Sequence, residues 1–281
     1  MDVNGFVGHQ ACDGEVGQAD AADGAPALVD PYGRTIRYLR LSVTDRCDLR
    51  CRYCMPARPE FLPKREILTI EELHSVARAF IARGVDKIRI TGGEPLVRKG
   101  VMELMHRLGG ERARGLRELV LTTNGQLLAR HAADLYAAGV RRINVSLDTL
   151  KAERYREITR GGDLAPVLEG LAQASRAGLS VKLNVVAMRG VNEDEIDDLI
   201  VFAGERGFDL TLIETMPLGA PEGGARAEHF LPLDVLRRRL EARWSLVDLP
   251  DYATGGPARY ARIEETGGRL GFISPLSQNF C

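Results

Sequence analysis

Short apolar runs alternate with longer amphipathic stretches between Tyr38 and Glu214. Six of the runs have the length and the content of branched apolar residues that are typical of strands. They lie at 38–44, 87–91, 118–123, 142–146, 180–187 and 209–214. The stretches between them predict helices, so the pattern is one of repeated βα units around a parallel sheet. Because six units are too few to close an eightfold barrel, the predicted fold is α/β, a partial (β/α)6 TIM-type barrel.

A glycine marks the predicted end of four helices. Gly84, Gly139, Gly178 and Gly207 each precede an apolar residue that leads into the next strand. A helix commonly ends at a residue in the left-handed conformation, which glycine adopts without steric cost. We therefore expect a left-handed backbone at these positions.

Polar and apolar residues alternate within the predicted strands. Arg40 on the first strand, Arg89 on the second and Lys182 on the fifth each stand between two apolar neighbours. A parallel strand that is buried on both faces would be almost entirely apolar. We therefore expect one face to pack on helices and the other to line a polar cavity, where three inward cations would suit a phosphorylated ligand. The alternative, that these side chains extend to solvent at the strand ends, stays open at this point.

The repeat ends after Glu214. Residues 232–243 predict a helix, and the runs 245–249, 259–264 and 269–274 resemble short strands, for which antiparallel pairing is one possibility. We expect this C-terminal extension, residues 215–281, to cover the open side of a barrel formed by residues 34–214.

Composition and charge narrow the class of protein. The 281 residues carry 38 basic and 39 acidic side chains, which is not the basic excess of a nucleic-acid or anionic-membrane binder. Residues 1–33 contain acidic residues but no Lys or Arg, and we interpret them as a disordered acidic leader. No apolar run reaches the roughly 20 residues that cross a bilayer, and the N-terminus lacks the pattern of a signal peptide. These observations predict a cytoplasmic protein with neither a nucleic-acid nor a membrane partner.

Three of the five cysteines, Cys47, Cys51 and Cys54, follow the first predicted strand directly. In parallel barrels the functional groups gather at the carboxyl ends of the strands. Three thiolates so close together suit a metal centre that keeps one position open for another ligand. A structural zinc site would usually need a fourth protein ligand, which no neighbouring His supplies. Cys12, in the leader, is interpreted as an incidental exposed thiol.

Two motifs on consecutive strands carry a resemblance to a known superfamily. The cysteine loop has the spacing C-x3-C-x2-C with Tyr53 before the last cysteine, and the second strand runs into Thr91-Gly92-Gly93-Glu94-Pro95. Together they resemble the radical S-adenosylmethionine (SAM) superfamily. Further segments make residues 34–281 similar to the GTP 3′,8-cyclase family of molybdenum-cofactor biosynthesis. These segments are 39–47, 87–96, 121–125, 141–148, 181–186 and 271–281.

The resemblance implies a set of site residues, none of them catalytic beyond the cofactor ligands. Cys47, Cys51 and Cys54 would bind three irons of a [4Fe-4S] cluster whose fourth iron chelates SAM. The residues near SAM would be Tyr53, Gly93, Ser146 and Met216. The residues that contact GTP would be Arg40, Arg89, Thr122 and Lys182, three of which are the inward cations that the alternation predicts. The implied chemistry is radical: the 5′-deoxyadenosyl radical from SAM takes hydrogen from C3′ of GTP, and the resulting carbon radical attacks C8 of guanine.

The resemblance also implies partners. They are GTP, a reductant protein of unknown identity, and cyclic pyranopterin monophosphate synthase as the next enzyme of the pathway. A homodimer is a possible assembly.

The sequence departs from the family pattern at two places. The family holds a second [4Fe-4S] cluster on three C-terminal cysteines, and here Cys281 alone is present, without the arginines and the Gly-Gly tail that follow. Thr211 stands where the family usually has Arg. We therefore predict that the chain, as a fragment or as a naturally shortened form, binds SAM on its first cluster but cyclises GTP poorly.

Three other interpretations stay open on the sequence. The chain is a different radical SAM enzyme with a single cluster, an inactive remnant that binds SAM or a nucleotide, or a zinc-binding structural protein.

Overall fold

The computed structural model describes residues 26–216 and 228–277. Its centre is a sheet whose first six strands are parallel and lie side by side in chain order. The strands are β1 (Tyr38–Ser42), β2 (Lys87–Thr91), β3 (Glu118–Thr123), β4 (Arg142–Ser146), β5 (Ser180–Ala187) and β6 (Asp209–Glu214). The predicted α/β partial barrel is therefore confirmed, and each of the six strands lies where the apolar runs place it.

Helices connect these strands and cover one face of the sheet. They are α1 (Ile70–Ile81), α2 (Val101–Gly110), α3 (Leu128–Ala137), α4 (Ala152–Thr159), α5 (Leu164–Arg176) and α6 (Ile196–Glu205). The apolar residues of the strands, such as Ile88 and Ile143, are fully buried in one core with helix residues such as Leu104 and Leu135. This face fixes the register of each strand, because a slip by one residue would turn its apolar side chains away from the helices.

The four glycines at the helix ends have the left-handed backbone that the sequence predicts. Their φ angles are +92° at Gly84, +93° at Gly139, +86° at Gly178 and +65° at Gly207. A Cβ atom at any of these positions would be strained by the backbone conformation itself. The repeated glycine therefore ends each helix and turns the chain towards the next strand.

The C-terminal extension adds three strands and one helix, α7 (Leu233–Glu241). The strands are β7 (Leu246–Asp248), β8 (Arg259–Ile263) and β9 (Arg269–Ile273). β9 pairs with β6 in parallel, and β8 and β7 continue the sheet in antiparallel order. The extension thus widens the sheet at the edge of β6. Glu214, at the end of β6, ties it there by accepting hydrogen bonds from the backbone N–H groups of Leu233 (3.0 Å) and Leu276 (3.1 Å).

Part of the segment before β1, which the sequence predicts to be disordered, forms backbone hydrogen bonds. Residues 26–33 belong to the predicted disordered leader, yet Val29 bridges to Thr35 and the N–H of Leu28 donates to the carbonyl of Arg83 at 3.3 Å. These backbone bonds hold the segment beside the end of α1. The remainder of the leader, including Cys12, lies outside the described residues.

In the described parts of the chain, no helix combines the length and the apolarity that a membrane crossing requires.

Candidate functional site

The cysteine loop lies at the carboxyl end of β1 and rests on the loop that follows β2. Gly93 donates its N–H to the carbonyl of Thr44 at 2.7 Å, and Glu94 donates its N–H to the carbonyl of Arg46 at 2.8 Å. A Cβ atom on Gly93 would lie 2.2 Å from the carbonyl oxygen of Arg46. Glycine is therefore required here because two backbones approach too closely for a side chain.

The three loop cysteines are close together and none is in a disulfide. The thiol sulfur of Cys47 accepts from the N–H of Leu49 at 3.4 Å, and the amide of Asn124 lies 3.8 Å from it. Burial raises the pKa of Cys47 to about 11 and raises the pKa of Cys51 still further. Thiols in this setting stay protonated near neutral pH unless a metal centre takes the place of their protons.

The donor set fits an iron–sulfur cluster better than a single ion. A cluster takes one thiolate on each of several irons, so its ligands need not converge on one point. No three His, Cys, Asp or Glu side chains in residues 26–216 and 228–277 are grouped to hold a single ion. The three soft thiols of one short loop therefore match a cluster with an open iron.

Glu94 links the ends of β2 and β3 beneath the cysteine loop. Its carboxylate accepts hydrogen bonds from the N–H of Leu96 (2.9 Å), the hydroxyl of Thr123 (2.8 Å) and the N–H of Asn124 (2.6 Å). Burial raises the pKa of Glu94 to about 7, although these donors act against the shift. The side-chain amide of Asn124 in turn donates to Asp48 at 2.6 Å, so one network joins β2, β3 and the cysteine loop.

Tyr53 joins the cysteine loop to the end of β4. Its hydroxyl donates to Asp148 at 2.7 Å, and the other carboxylate oxygen of Asp148 accepts from the N–H of Val186 at 2.8 Å. Burial raises the pKa of Asp148 to about 6. Ser146, the last residue of β4, lies two residues before this carboxylate. The structure thus brings three of the four SAM-contact candidates, Tyr53, Gly93 and Ser146, to the strand ends around the cysteines.

No described contact joins the two remaining predicted residues to this group. Met216 follows β6 by two residues and is 41% exposed. Cys281 lies outside the described residues.

The opposite face of the sheet from the helices carries the inward cations. Lys87 and Arg89 both lie over the ring of Tyr38, at 5.3 and 5.6 Å from its centroid, so β1 and β2 present these side chains to one space. Arg40, which is exposed, is close enough to affect the pKa of both Tyr38 and Arg89. Arg40 and Arg89 are therefore close to each other and to Tyr38.

Lys182 is buried on the same face and is held by the C-terminal extension. Its ammonium contacts the hydroxyl of Tyr260 and donates to the hydroxyl of Thr254 at 3.2 Å. Lys87 donates to the backbone carbonyl of Thr254 at 2.6 Å. Burial, together with the positive charge of the nearby Arg142, lowers the pKa of Lys182 to about 8. The extension therefore reaches across the interior as far as β2.

Several interior residues were missed from the sequence. Lys87 and Arg142 both pair with Glu118, at 2.6 Å each. Lys87, Glu118 and Arg142 continue the same alternation along β2, β3 and β4, so the period-two pattern of these strands could have identified them. Thr254 and Tyr260 had no such signal, because they approach from the extension.

Some interior polar atoms have no partner in the described part of the chain. Among them are Nε of Arg89, the hydroxyl oxygen of Thr122, and Nε of Arg142 and Oδ1 of Asn144 on β4. Buried polar atoms are almost always hydrogen-bonded in folded proteins. Unpaired atoms on three adjacent strands therefore mark the part of the interior that a polar ligand would fill. Thr211, at the family's arginine position, is 1% exposed and lies with Tyr260 against Gly271.

Comparison with known families matches two models that together span most of the chain. The model of the Radical SAM superfamily matches residues 41–203, and the model named Molybdenum Cofactor Synthesis C matches residues 208–281.

Two similar proteins align with more than nine-tenths of this chain. A GTP 3′,8-cyclase of Rhizobium etli is 58% identical over 261 residues, which are 93% of this chain and 74% of that protein. A GTP 3′,8-cyclase of Erythrobacter litoralis is 57% identical over 257 residues, 92% of this chain and 77% of that protein.

Solved structures share the fold. SuiB of Streptococcus suis bound to S-adenosylmethionine superposes with a TM-score of 0.61 at 20% identity, over 73% of this chain and 46% of SuiB. The protein anSMEcpe with bound AdoMet and a peptide gives a TM-score of 0.57 at 20% identity, over 74% of this chain and 58% of its own. At this identity the likeness concerns the fold.

Proposed function

Because the chain belongs to the radical SAM superfamily and, within it, to the GTP 3′,8-cyclase family, we propose that it converts GTP to 3′,8-cyclo-7,8-dihydro-GTP, the first step of molybdenum-cofactor biosynthesis. The observation that carries the proposal is the juxtaposition of a three-cysteine loop with an interior of converging cations. The loop offers the ligands of one [4Fe-4S] cluster, and the interior offers groups that suit a triphosphate.

Cys47, Cys51 and Cys54 would hold the cluster, which with SAM supplies one-electron reduction and a carbon radical for hydrogen abstraction. The chain's own task is to place the substrate and keep water away from it. The networks of Glu94 and of Tyr53 with Asp148 support a rigid cysteine loop, because they tie it to the ends of β2, β3 and β4.

SAM would lie against the strand ends near the cysteines. Gly93 lets the loop after β2 pack directly on the backbone of the cysteine loop, so its backbone would lie close to a SAM molecule bound there. Tyr53 and Ser146 stand at the same end of the barrel, and Met216 would approach from beyond β6.

GTP would bind deeper, on the inward face. Arg40, Arg89 and Lys182 would pair with the triphosphate, and Thr122 would donate its unpaired hydroxyl to the same ligand. The pKa of Lys182, at about 8, leaves its ammonium largely charged near neutral pH. Thr211 supplies no charge where the family usually has Arg. Lys87 and Arg142 are also cations of this face, and both are paired with Glu118.

The finer assignments are also proposals. We infer that a reductant protein delivers the electron, that cyclic pyranopterin monophosphate synthase takes the product, that the chain acts in the cytoplasm where GTP and SAM are made, and that it can pair as a homodimer.

Anaerobic reconstitution with iron and sulfide tests the proposal. The reduced protein is incubated with SAM and GTP, and iron, 5′-deoxyadenosine and the cyclised nucleotide are measured. We expect a brown protein with absorbance near 400 nm, and Cys51→Ala should lose the iron and both products. Cys12→Ala, at a cysteine outside the loop, is the matched control and should resemble the wild type.

The outcomes separate the alternatives. 5′-Deoxyadenosine without the cyclised nucleotide would indicate a different single-cluster enzyme. Cluster or nucleotide binding without either product would indicate an inactive remnant. A colourless protein that holds zinc would contradict the proposal altogether.

A further inference from the structure

Asn144 is a buried amide that lacks the partner its burial demands. It lies on β4 and is 3% exposed, and its Oδ1 accepts no hydrogen bond from the described residues. A carbonyl oxygen without a donor is unfavourable in a protein interior, where it has lost water and gained nothing in exchange. The interior is therefore incomplete at this atom until a ligand brings a donor.

The position of Asn144 places it among the residues proposed to bind GTP. It is the register partner of Thr122 on β3 and of Lys182 on β5. Side chains at matched register on one face of adjacent strands are direct neighbours. Asn144 thus stands between a hydroxyl without a partner and a buried ammonium.

The two charged side chains nearest to Asn144 are directed towards other groups. The ammonium of Lys182 is directed to Tyr260 and Thr254, and Arg142, two residues before Asn144 on the same face, pairs with Glu118. The hydroxyl of Thr122 and Nε of Arg142 also lack a hydrogen-bond partner among the described residues, so Oδ1 of Asn144 is one of several neighbouring polar atoms that a ligand would satisfy.

The chemistry of the ligand limits what can bind Asn144. The ionised phosphates of a nucleoside triphosphate carry acceptors and match the cations, so they do not suit an acceptor such as Oδ1. Donors on GTP are the ribose hydroxyls and the N–H groups of guanine. The ribose is the donor-bearing group next to the phosphates, and Asn144 is next to Lys182.

We propose that Asn144 accepts a hydrogen bond from a ribose hydroxyl of GTP, and that it thereby selects ribonucleotides and fixes the sugar whose C3′–H reacts. This inference rests on the proposed function, because it takes GTP as the ligand of the interior. It adds to the cation set a neutral residue that recognises the sugar.

Nucleotide binding to the reconstituted full chain tests this role. Equilibrium dialysis would compare GTP, 2′-deoxy-GTP and 3′-deoxy-GTP with the wild type and with Asn144→Ala. We expect the wild type to bind at least one deoxy analogue about tenfold more weakly than GTP, the effect of one buried hydrogen bond. Asn144→Ala should bind GTP about tenfold more weakly and should lose that discrimination.

A stability measurement separates ligand recognition from a structural role. Because Oδ1 of Asn144 accepts no bond from the described residues, Asn144→Ala should unfold at a urea concentration no lower than that of the wild type. Asn192→Ala is the matched control: Asn192 is also fully buried, but its amide bonds the carbonyls of Asp148 (2.8 Å) and Val186 (2.9 Å). That variant should unfold at a clearly lower concentration.

Two results would overturn the inference. One is full discrimination between GTP and the deoxy analogues in Asn144→Ala, and the other is a GTP affinity equal to that of the wild type. A wild type that binds none of the three nucleotides would instead contradict the proposed function.

Discussion

Gly93→Ala tests the close approach between the cysteine loop and the loop after β2. The added methyl carbon would lie 2.2 Å from the carbonyl oxygen of Arg46 and 2.7 Å from that of Asp45. Ordinary contact begins near 3.4 Å, so the two backbones must separate by about 1 Å. Both obstacles are backbone atoms, which cannot move away as the end of a flexible side chain can.

The loss of stability in Gly93→Ala follows from the hydrogen bonds between the two loops. The N–H groups of Gly93 and Glu94 donate to Thr44 and Arg46 at 2.7 and 2.8 Å, and a shift of that size would break both bonds. Each is worth about 0.5–1.5 kcal/mol net, and overpacking costs about 1–3 kcal/mol. We therefore expect the free energy of unfolding to fall by about 2–6 kcal/mol, measured by urea denaturation of the unreconstituted protein. Because the displaced segment leads into Cys47, the iron content after reconstitution should fall as well.

Gly110→Ala is the matched control for Gly93→Ala. Gly110 is the last residue of α2, its φ is −68°, and a Cβ atom there meets nothing within 4 Å. Alanine in a helix is favoured over glycine by about 0.5–1 kcal/mol, so this variant should be neutral or slightly more stable and should bind iron normally. Equal urea midpoints and equal iron contents for the wild type and Gly93→Ala would refute the argument from close approach.

Two further predictions concern the interior and the cysteine loop. Because the pKa of Lys182 is lowered to about 8, its ammonium loses its proton as the pH rises through that value, and GTP should bind more weakly at about pH 9 than at about pH 7 in equilibrium dialysis. Lys182→Arg keeps its charge and should remove this part of the dependence; an unchanged slope would contradict the prediction. Tyr53→Phe removes the donor to the buried carboxylate of Asp148 and should lower the free energy of unfolding by about 1.5–3 kcal/mol at pH 7.5. Tyr155→Phe removes a hydrogen bond to the neutral amide of Gln126 and should lower the free energy of unfolding by less. Equal decreases for the two variants in urea titrations would contradict a charge-assisted bond between Tyr53 and Asp148.

The strands and the chemistry of the cysteine loop were predictable because both are local. Alternation along a strand reports which side chains share a face, and it directed Arg40, Arg89 and Lys182 to one interior. The same pattern places Lys87, Arg142 and Asn144 on this face. Alternation predicts which face a side chain occupies, but it does not predict which side chains form hydrogen bonds or ion pairs there.

The sequence by itself determined the βα repeat, the left-handed glycines and the C-x3-C-x2-C loop, because each depends on neighbours within a few positions. Only the tertiary structure decided how the polar residues are paired. Thr254 reaches Lys87 across 167 residues and Tyr53 reaches Asp148 across 95. Such contacts depend on the register and curvature of the sheet, which no local period records. The extension supplies hydrogen-bond acceptors to Lys87 and Lys182. Oδ1 of Asn144 receives no hydrogen bond from the described residues.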